Sequence, residues 1–393
     1  MLQSVALILV SGVILEYILR QLKLPALLGY LIAGIVLGPF GLDALDSQLL
    51  SLSPDIRQVA LIIILTRAGL SLDVRQLIKV GRPAILMCFV PATIEILAAI
   101  IFGPILLGLT FSQSLLIGSI LAAVSPAVVV PRMVDLIHQQ RGTRKQVPQM
   151  ILAGSSADDV YVLVLFTAFL TLAMGGEVSS WTFLQIPLSI ISGIIGGALI
   201  GWSLNRLFNH FSLQTTFQVA ILLASAFLLM GVEEQFAGYF SGILAVISMN
   251  MMIQRESPTL SIILSDKFNQ LWRVAEIFLF FLVGVSVNPA NALSYGIMPV
   301  VFIIILSLCR LFIGVRLSLV NTHFNKKEKQ FTLISYLPKA TVQAAIGSVP
   351  LASGVAGGEL MLTLAVLSIL MTAPIGAIGM DYLAPRLLTK DRD

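Results

Sequence analysis

The sequence predicts an all-α polytopic membrane protein of about 13 transmembrane helices, built on an inverted-topology repeat with one interrupted helix in each half. Three observations predict it. The 393 residues are 57% hydrophobic and only 11% charged, with a mean hydropathy of +0.97, a balance that excludes a water-soluble globular chain. Apolar stretches of about 20 residues, enough to cross ~30 Å of hydrocarbon at 1.5 Å per residue, recur along the whole length. Basic residues gather in every second connection between these stretches.

The first stretch, Met1 to Leu19, has no basic leader and no small-residue cleavage site, so it is read as a retained span. Arg20 and Lys23 follow it; Arg75, Lys79 and Arg82 follow the third span, and Arg132, Arg141, Arg144 and Lys145 the fifth. Arg206, Arg255, Lys267, Arg316, Lys326, Lys327, Lys329, Arg386, Lys390 and Arg392 continue the alternation. The intervening connections carry Asp43, Asp46, Asp55, Glu177, Glu233, Glu234 and Glu359, with Arg57 the exception. The positive-inside rule then puts the N-terminus outside and the C-terminus in the cytoplasm, which requires an odd number of spans.

The third span holds Ala60 to Asp73, ALIIILTRAGLSLD, which resembles AEIFLFFLVGVSVN from Ala275 to Asn288 in the tenth. Gly69 matches Gly284, and Ser71 and Asp73 match Ser286 and Asn288. A displacement of seven helices reverses orientation, hence an inverted repeat: residues of about 1–175, a linker helix of about 181–208, and about 215–388. In the linker, Gly193, Gly197 and Gly201 form overlapping GxxxG spacings, suited to tight packing between the halves.

The fifth and twelfth spans are broken. Pro126 and Pro131 interrupt the fifth and Pro338 the twelfth, and the backbone groups each break frees must be satisfied by protein or a water-lined cavity. A single break reads as a kink; two at matching repeat positions point to a binding site at the midplane.

Charges inside spans are Arg67, Glu95, Asp158, Asp159, Glu276, Arg310 and Lys339. Each costs ~2.5–3.5 kcal/mol at the centre of an isolated helix, so each is retained for pairing or for function. Arg67 and Glu276 lie near span ends and can snorkel. Glu95 in the fourth span and Arg310 in the eleventh are repeat-related and suited to an ion pair joining the halves. Asp158 and Asp159 stand behind Gly154, Ser155, Ser156 and Ala157, small residues that leave room for an ion. As helix neighbours they point about 100° apart and do not share one proton as a protease dyad does. A carboxylate removed from water binds a proton or a small hard cation far more readily than it stays bare. Competition between the two ligands at one carboxylate is the chemistry of cation/proton exchange.

At these residues the chain resembles the cation/proton antiporter superfamily, above all the sodium/hydrogen exchangers of the solute carrier 9B group and their bacterial NapA-like relatives. The strings RAGLSLD, AAVSPAVVVP, GSSADD, YLPKATVQAAIGSV and LSILMTAPIG carry the resemblance in order from Arg67 to Gly376. It implies the NhaA/NapA-like fold, in which a core domain with two crossed, broken helices moves against a dimerising scaffold domain interleaved with it in sequence. It further implies a sodium or lithium/proton antiporter working by alternating access, with Asp159 the carrier, Asp158 beside it, and Ser125 and Thr341 near the cation at the crossing. Lys339 would offset a helix-end dipole there. NapA-like antiporters place a lysine where this chain has Arg310, as the 9B group does. Arginine does not release its proton, which favours one proton per cation and electroneutral exchange, whereas aspartate rather than asparagine at Asp158 argues the other way.

The transported ions and the bilayer are the partners so implied, with a second copy of the chain. The expected setting is a bacterial inner membrane. A potassium/proton exchanger or efflux system of the same superfamily is the alternative. An organic-anion symporter has no need of the aspartate pair, and an intramembrane aspartyl protease needs carboxylates from two helices. Neither Cys88 nor Cys309 falls in a disulfide or metal spacing, no cofactor is called for, and the dispersed basic residues without aromatic interleaving exclude nucleic-acid binding. His138, His210 and His323 are read as solvated residues of cytoplasmic connections.

Overall fold

Hydrocarbon offers no partner to backbone N–H and C=O groups, so a chain this apolar satisfies them within helices. The computed structural model describes residues 1–390 except Lys23, 72–80, 175–179, Ser212 and 237–238, and leaves out the side chains of Ser156, Glu234 and 180–186. Asp73, Arg75, Lys79, Glu177 and Arg392 of the charge and repeat patterns lie outside the described residues.

The described residues are helical. In order they form α1 (Leu2–Gln21), α2 (Ala26–Leu37), α3 (Ser47–Ser51), α4 (Ser53–Ser71), α5 (Arg82–Leu107), α6 (Phe111–Ala122) and α7 (Pro126–His138). Next come α8 (Val147–Met174), α9 (Ser180–His210), α10 (Thr215–Gln235), α11 (Gly242–Glu256), α12 (Pro258–Val285) and α13 (Pro289–Ser294). The series closes with α14 (Met298–Ser318), α15 (Lys326–Ser335), α16 (Thr341–Ile346), α17 (Val349–Ala352) and α18 (Gly358–Leu387). Nine candidate membrane spans occur among the described residues: α1, α5, the interrupted α6–α7, α8, Pro187–His210 of α9, Thr215–Glu233 of α10, α12, α14 and α18. The chain is an all-helical integral membrane protein. α2 and Thr341–Ala352 are apolar but shorter.

Two compact units interleave along the sequence: Met1–Pro54, Arg75–Val162 and Ile277–Asp393 form one, Asp55–Val74 and Leu163–Glu276 the other. In the first, α2 and α12 touch backbone to backbone, because a Cβ on Gly34 would strike the Phe281 carbonyl and one on Gly284 the Leu31 carbonyl. α6 opens with a capping box in which Thr110 Oγ1 accepts from the Gln113 N–H and Gln113 Oε1 from the Thr110 N–H. Asn325 and Glu328 do the same for α15. Arg141 donates to the Pro385 and Leu388 carbonyls and closes the C-terminus of α18.

In the second unit, Gly193, Gly197 and Gly201 of α9 meet the carbonyls of Ser241, Ala245 and Met249, one turn apart on α11. The glycine stripe therefore produces close approach as its spacing predicts, and α11 is the helix it approaches. α4 lies on the same helix through Gly69, whose absent Cβ leaves room for the Ile247 carbonyl.

Candidate functional site

The site is built where the two interrupted helices meet, wholly within the first unit. Proline forces the residue before it into extended backbone and is itself suited to the first helical position. Accordingly α6 stops at Ala122, Ala123 and Ser125 are extended, and Pro126 opens α7. Pro338 likewise separates α15 from α16, with Ala340 at φ −162° and ψ −77° ahead of Thr341.

A helix end leaves carbonyls without intrahelical partners, and those of α6 are met by side chains from the other break. Gln343 Nε2 donates to Ile120 O at 3.1 Å, Ala123 O at 3.0 Å and Leu121 O at 3.4 Å. Lys339 Nζ also donates to Leu121 O, placing a cation at the negative end of the α6 dipole. Backbone meets backbone directly where the Ser125 N–H donates to Pro338 O at 2.9 Å. Ser125 Oγ and Thr341 Oγ1 face each other at 3.5 Å, the outer limit of a hydrogen bond. Lys339 N–H donates to Thr372 Oγ1 of α18 at 2.9 Å.

A closed charge network lies against this crossing. Arg310 donates through Nη1 to Glu95 Oε2 and through Nη2 to Asp158 Oδ2, both at 2.9 Å, and Lys339 Nζ reaches Glu95 Oε1 at 2.6 Å. Asp158 Oδ2 also accepts the Val124 N–H at 2.9 Å, so the same carboxylate oxygen holds the backbone of the first break. Glu95 and Asp158 are 0% exposed, Arg310 and Lys339 1%. The two anions and two cations balance, which is what allows four charges to be buried together. Arg310 starts a π-helical turn, Arg310–Val315, that widens α14 where Gly314 sits against the Pro91 backbone of α5.

The expected pair of Glu95 and Arg310 is thus present, and Arg310 bridges Glu95 to Asp158 as well. Asp159, on the next residue of α8, retains 7% exposure where Asp158 has none. Ser125 and Thr341 are brought together at the two breaks, 0% and 1% exposed. Two residues escaped the sequence reading: Gln343 and Thr372. Gln343 had a signal, an amide two residues past Thr341 in an otherwise apolar run; which carbonyls it meets depends on the crossing, which sequence spacing does not contain. Thr372 sits inside the string LSILMTAPIG with nothing local to mark it.

The family model described as "Sodium/hydrogen exchanger, transmembrane" matches residues 5–383. The chain belongs to the sodium/hydrogen exchanger family. It is similar to sodium/hydrogen exchanger 9B2 of Homo sapiens, 32% identical over 389 residues that cover 93% of this chain and 70% of that protein. Sodium/hydrogen exchanger 9B1 of Homo sapiens is 29% identical over 400 residues, 98% of this chain and 77% of that one. The solved structure of the sodium proton antiporter MjNhaP1 from Methanocaldococcus jannaschii matches with a TM-score of 0.78 over 97% of both chains at 20% identity, so the antiporter fold is shared. This exchanger-family chain is therefore a membrane transporter and not an enzyme.

Proposed function

We propose that this exchanger-family transporter exchanges sodium or lithium for protons by alternating access, with Asp159 as the carboxylate for which cation and proton compete. The observation that carries the reading is the division of labour within the aspartate pair. Asp158 Oδ2 is held by a guanidinium and a backbone N–H; Asp159 alone of the two keeps a reachable surface. Asp158 then anchors the first break and sets the field beside the carrier, while Ser125 and Thr341 supply neutral oxygens at the crossing, a donor type suited to a small hard cation. Glu95, Arg310 and Lys339 are the supporting charges.

Arg310 is committed to two carboxylates and does not release its proton, which supports one proton per cation and electroneutral exchange. The inverted repeat is supported by matched packing: Gly69 of α4 lies on α11, and Gly284 of α12 lies on α2, pairings that a seven-helix displacement interconverts. On this reading the spans number thirteen, the remaining four being α2, α4, α11 and the interrupted α15–α17 segment. The repeat halves, about 1–175 and 215–388, each draw on both compact units. The basic-residue alternation supports an outside N-terminus and a cytoplasmic C-terminus in the cell membrane, and the likeness to the 9B exchangers supports a homodimer.

The test is dissipation of an imposed pH gradient in proteoliposomes, comparing the native chain with Asp159→Asn for sodium, lithium and potassium at clamped membrane potential. Exchange with sodium or lithium that falls to background in Asp159→Asn, at a rate independent of the clamped potential, is the expected result. Activity persisting in Asp159→Asn overturns the carrier assignment. Rates that change with the clamp overturn electroneutrality, and exchange with potassium alone replaces the cation.

A further inference from the structure

We propose that Tyr336 is a positioning residue for Asp158, acting through one internal water that its hydroxyl shares with Asp158 Oδ1 and Arg310 Nε. The inference rests on the reading of Asp159 as carrier and concerns how its neighbour is held. Tyr336 follows the last residue of α15 and is fully buried. Its hydroxyl enters a notch on α8 that exists because residue 154 is glycine: a Cβ there would collide with Tyr336 Oη and stand 3.0 Å from Met87 Cβ. Gly154 and Asp158 are four residues apart on one helix and so share a face, which puts the hydroxyl one turn from the carboxylate. The Arg310 guanidinium carbon is 5.7 Å from the centroid of the tyrosine ring.

Three buried polar atoms belong to the side chains around this notch. Tyr336 Oη, Asp158 Oδ1 and Arg310 Nε each have no hydrogen-bond partner among the described residues. Buried polar groups in native proteins are nearly always paired, with protein or with ordered water. The three differ in the way one water requires. The Arg310 Nε–H and the Tyr336 O–H donate to its lone pairs, and it donates to Asp158 Oδ1, giving the three bonds typical of a buried water. The carboxylate is then fixed at both oxygens, Oδ2 by Arg310 and Val124 and Oδ1 by the water. Removing the hydroxyl leaves Asp158 free to turn about its Oδ2 contacts, which changes the field at the adjacent Asp159.

Tyr336→Phe keeps the ring and removes only the hydroxyl. The expected result is a rise of roughly three- to tenfold in the KM for sodium with kcat within twofold, the size of effect that follows from losing one hydrogen bond relayed to a charge. A purely structural role would lower the folded fraction, and so kcat, without moving KM. Gly154→Ala pushes a methyl at the hydroxyl and raises KM in the same direction; in the double variant the methyl takes the space the hydroxyl left, so the two effects do not add. An unchanged KM in Tyr336→Phe, or a fall in kcat alone, overturns the inference. Asp159→Asn measured in parallel separates the two readings: loss of exchange there with an unchanged KM in Tyr336→Phe overturns only the positioning role, whereas surviving exchange overturns the carrier assignment and this inference with it.

Discussion

The two broken helices meet at one site, yet their breaks are held in opposite ways. The first, Ala123–Ser125, is a receiver. Its flanking carbonyls are met by Gln343 and Lys339, its Val124 N–H by Asp158 and its Ser125 N–H by the Pro338 carbonyl. The second, around Pro338, is a supplier: it provides those side chains and that carbonyl, and takes from outside the crossing the Thr372 hydroxyl for its Lys339 N–H. Two breaks of similar backbone therefore need not carry similar polar side chains. The receiver's backbone is held by both the charge network and a supplier residue, and each can be removed separately.

The largest effect is expected from the charge network. Arg310→Met deletes the guanidinium that bonds both Glu95 and Asp158, leaving Asp158 buried without this counter-charge and the Val124 contact without its anchor. Breaking a buried pair from one side destabilises by ~3–5 kcal/mol, read as a lower unfolding midpoint in detergent together with loss of exchange. Arg310→Lys keeps the charge but loses the fork that reaches two carboxylates, so its stability should fall between the two. Stability equal to the native chain in Arg310→Met would mean that the receiver break does not depend on the network.

The supplier residue comes next. Gln343→Leu is similar in size and leaves the Ile120 and Ala123 carbonyls buried without a donor, a loss of ~1–3 kcal/mol. The same measurement resolves it, and Gln343→Glu should be at least as damaging, since it replaces the donor with oxygen facing carbonyl oxygen. Thr372, which serves the supplier break, bonds one backbone N–H where Gln343 serves three carbonyls.

Much of this arrangement was legible in the sequence. Intramembrane charge is expensive and rare, so Glu95, Asp158, Asp159, Arg310 and Lys339 stood out against apolar surroundings, and Pro126 and Pro338 marked the breaks without reference to any tertiary contact. What the sequence did not contain was partner identity. Neighbouring aspartates point about 100° apart, and only packing decides that Asp158 faces Arg310 while Asp159 keeps its exposure. The π-helical turn at Arg310–Val315 lies where Gly314 of α14 meets Pro91, and nothing in the string RLFIGV announces it. The glycines of α9 declared a close approach through their spacing, but Ser241, Ala245 and Met249 had to be seen to be named. Gln343 was visible as a polar residue and illegible as a cap, because its three acceptors lie more than 200 residues away in sequence.

The smallest effect separates geometry from chemistry at the crossing itself. Ser125 Oγ and Thr341 Oγ1 stand 3.5 Å apart, too far to contribute a strong bond, while the Ser125 backbone N–H bonds Pro338 O at 2.9 Å whatever the side chain. Ser125→Ala should therefore change stability by no more than about 0.5 kcal/mol. If the hydroxyl serves the cation instead, the same substitution raises the KM for sodium or lithium with the unfolding midpoint unmoved. A lower midpoint at unchanged KM would mean that the two hydroxyls hold the breaks together, and the receiver would then depend on the supplier through side chains at every polar contact but one.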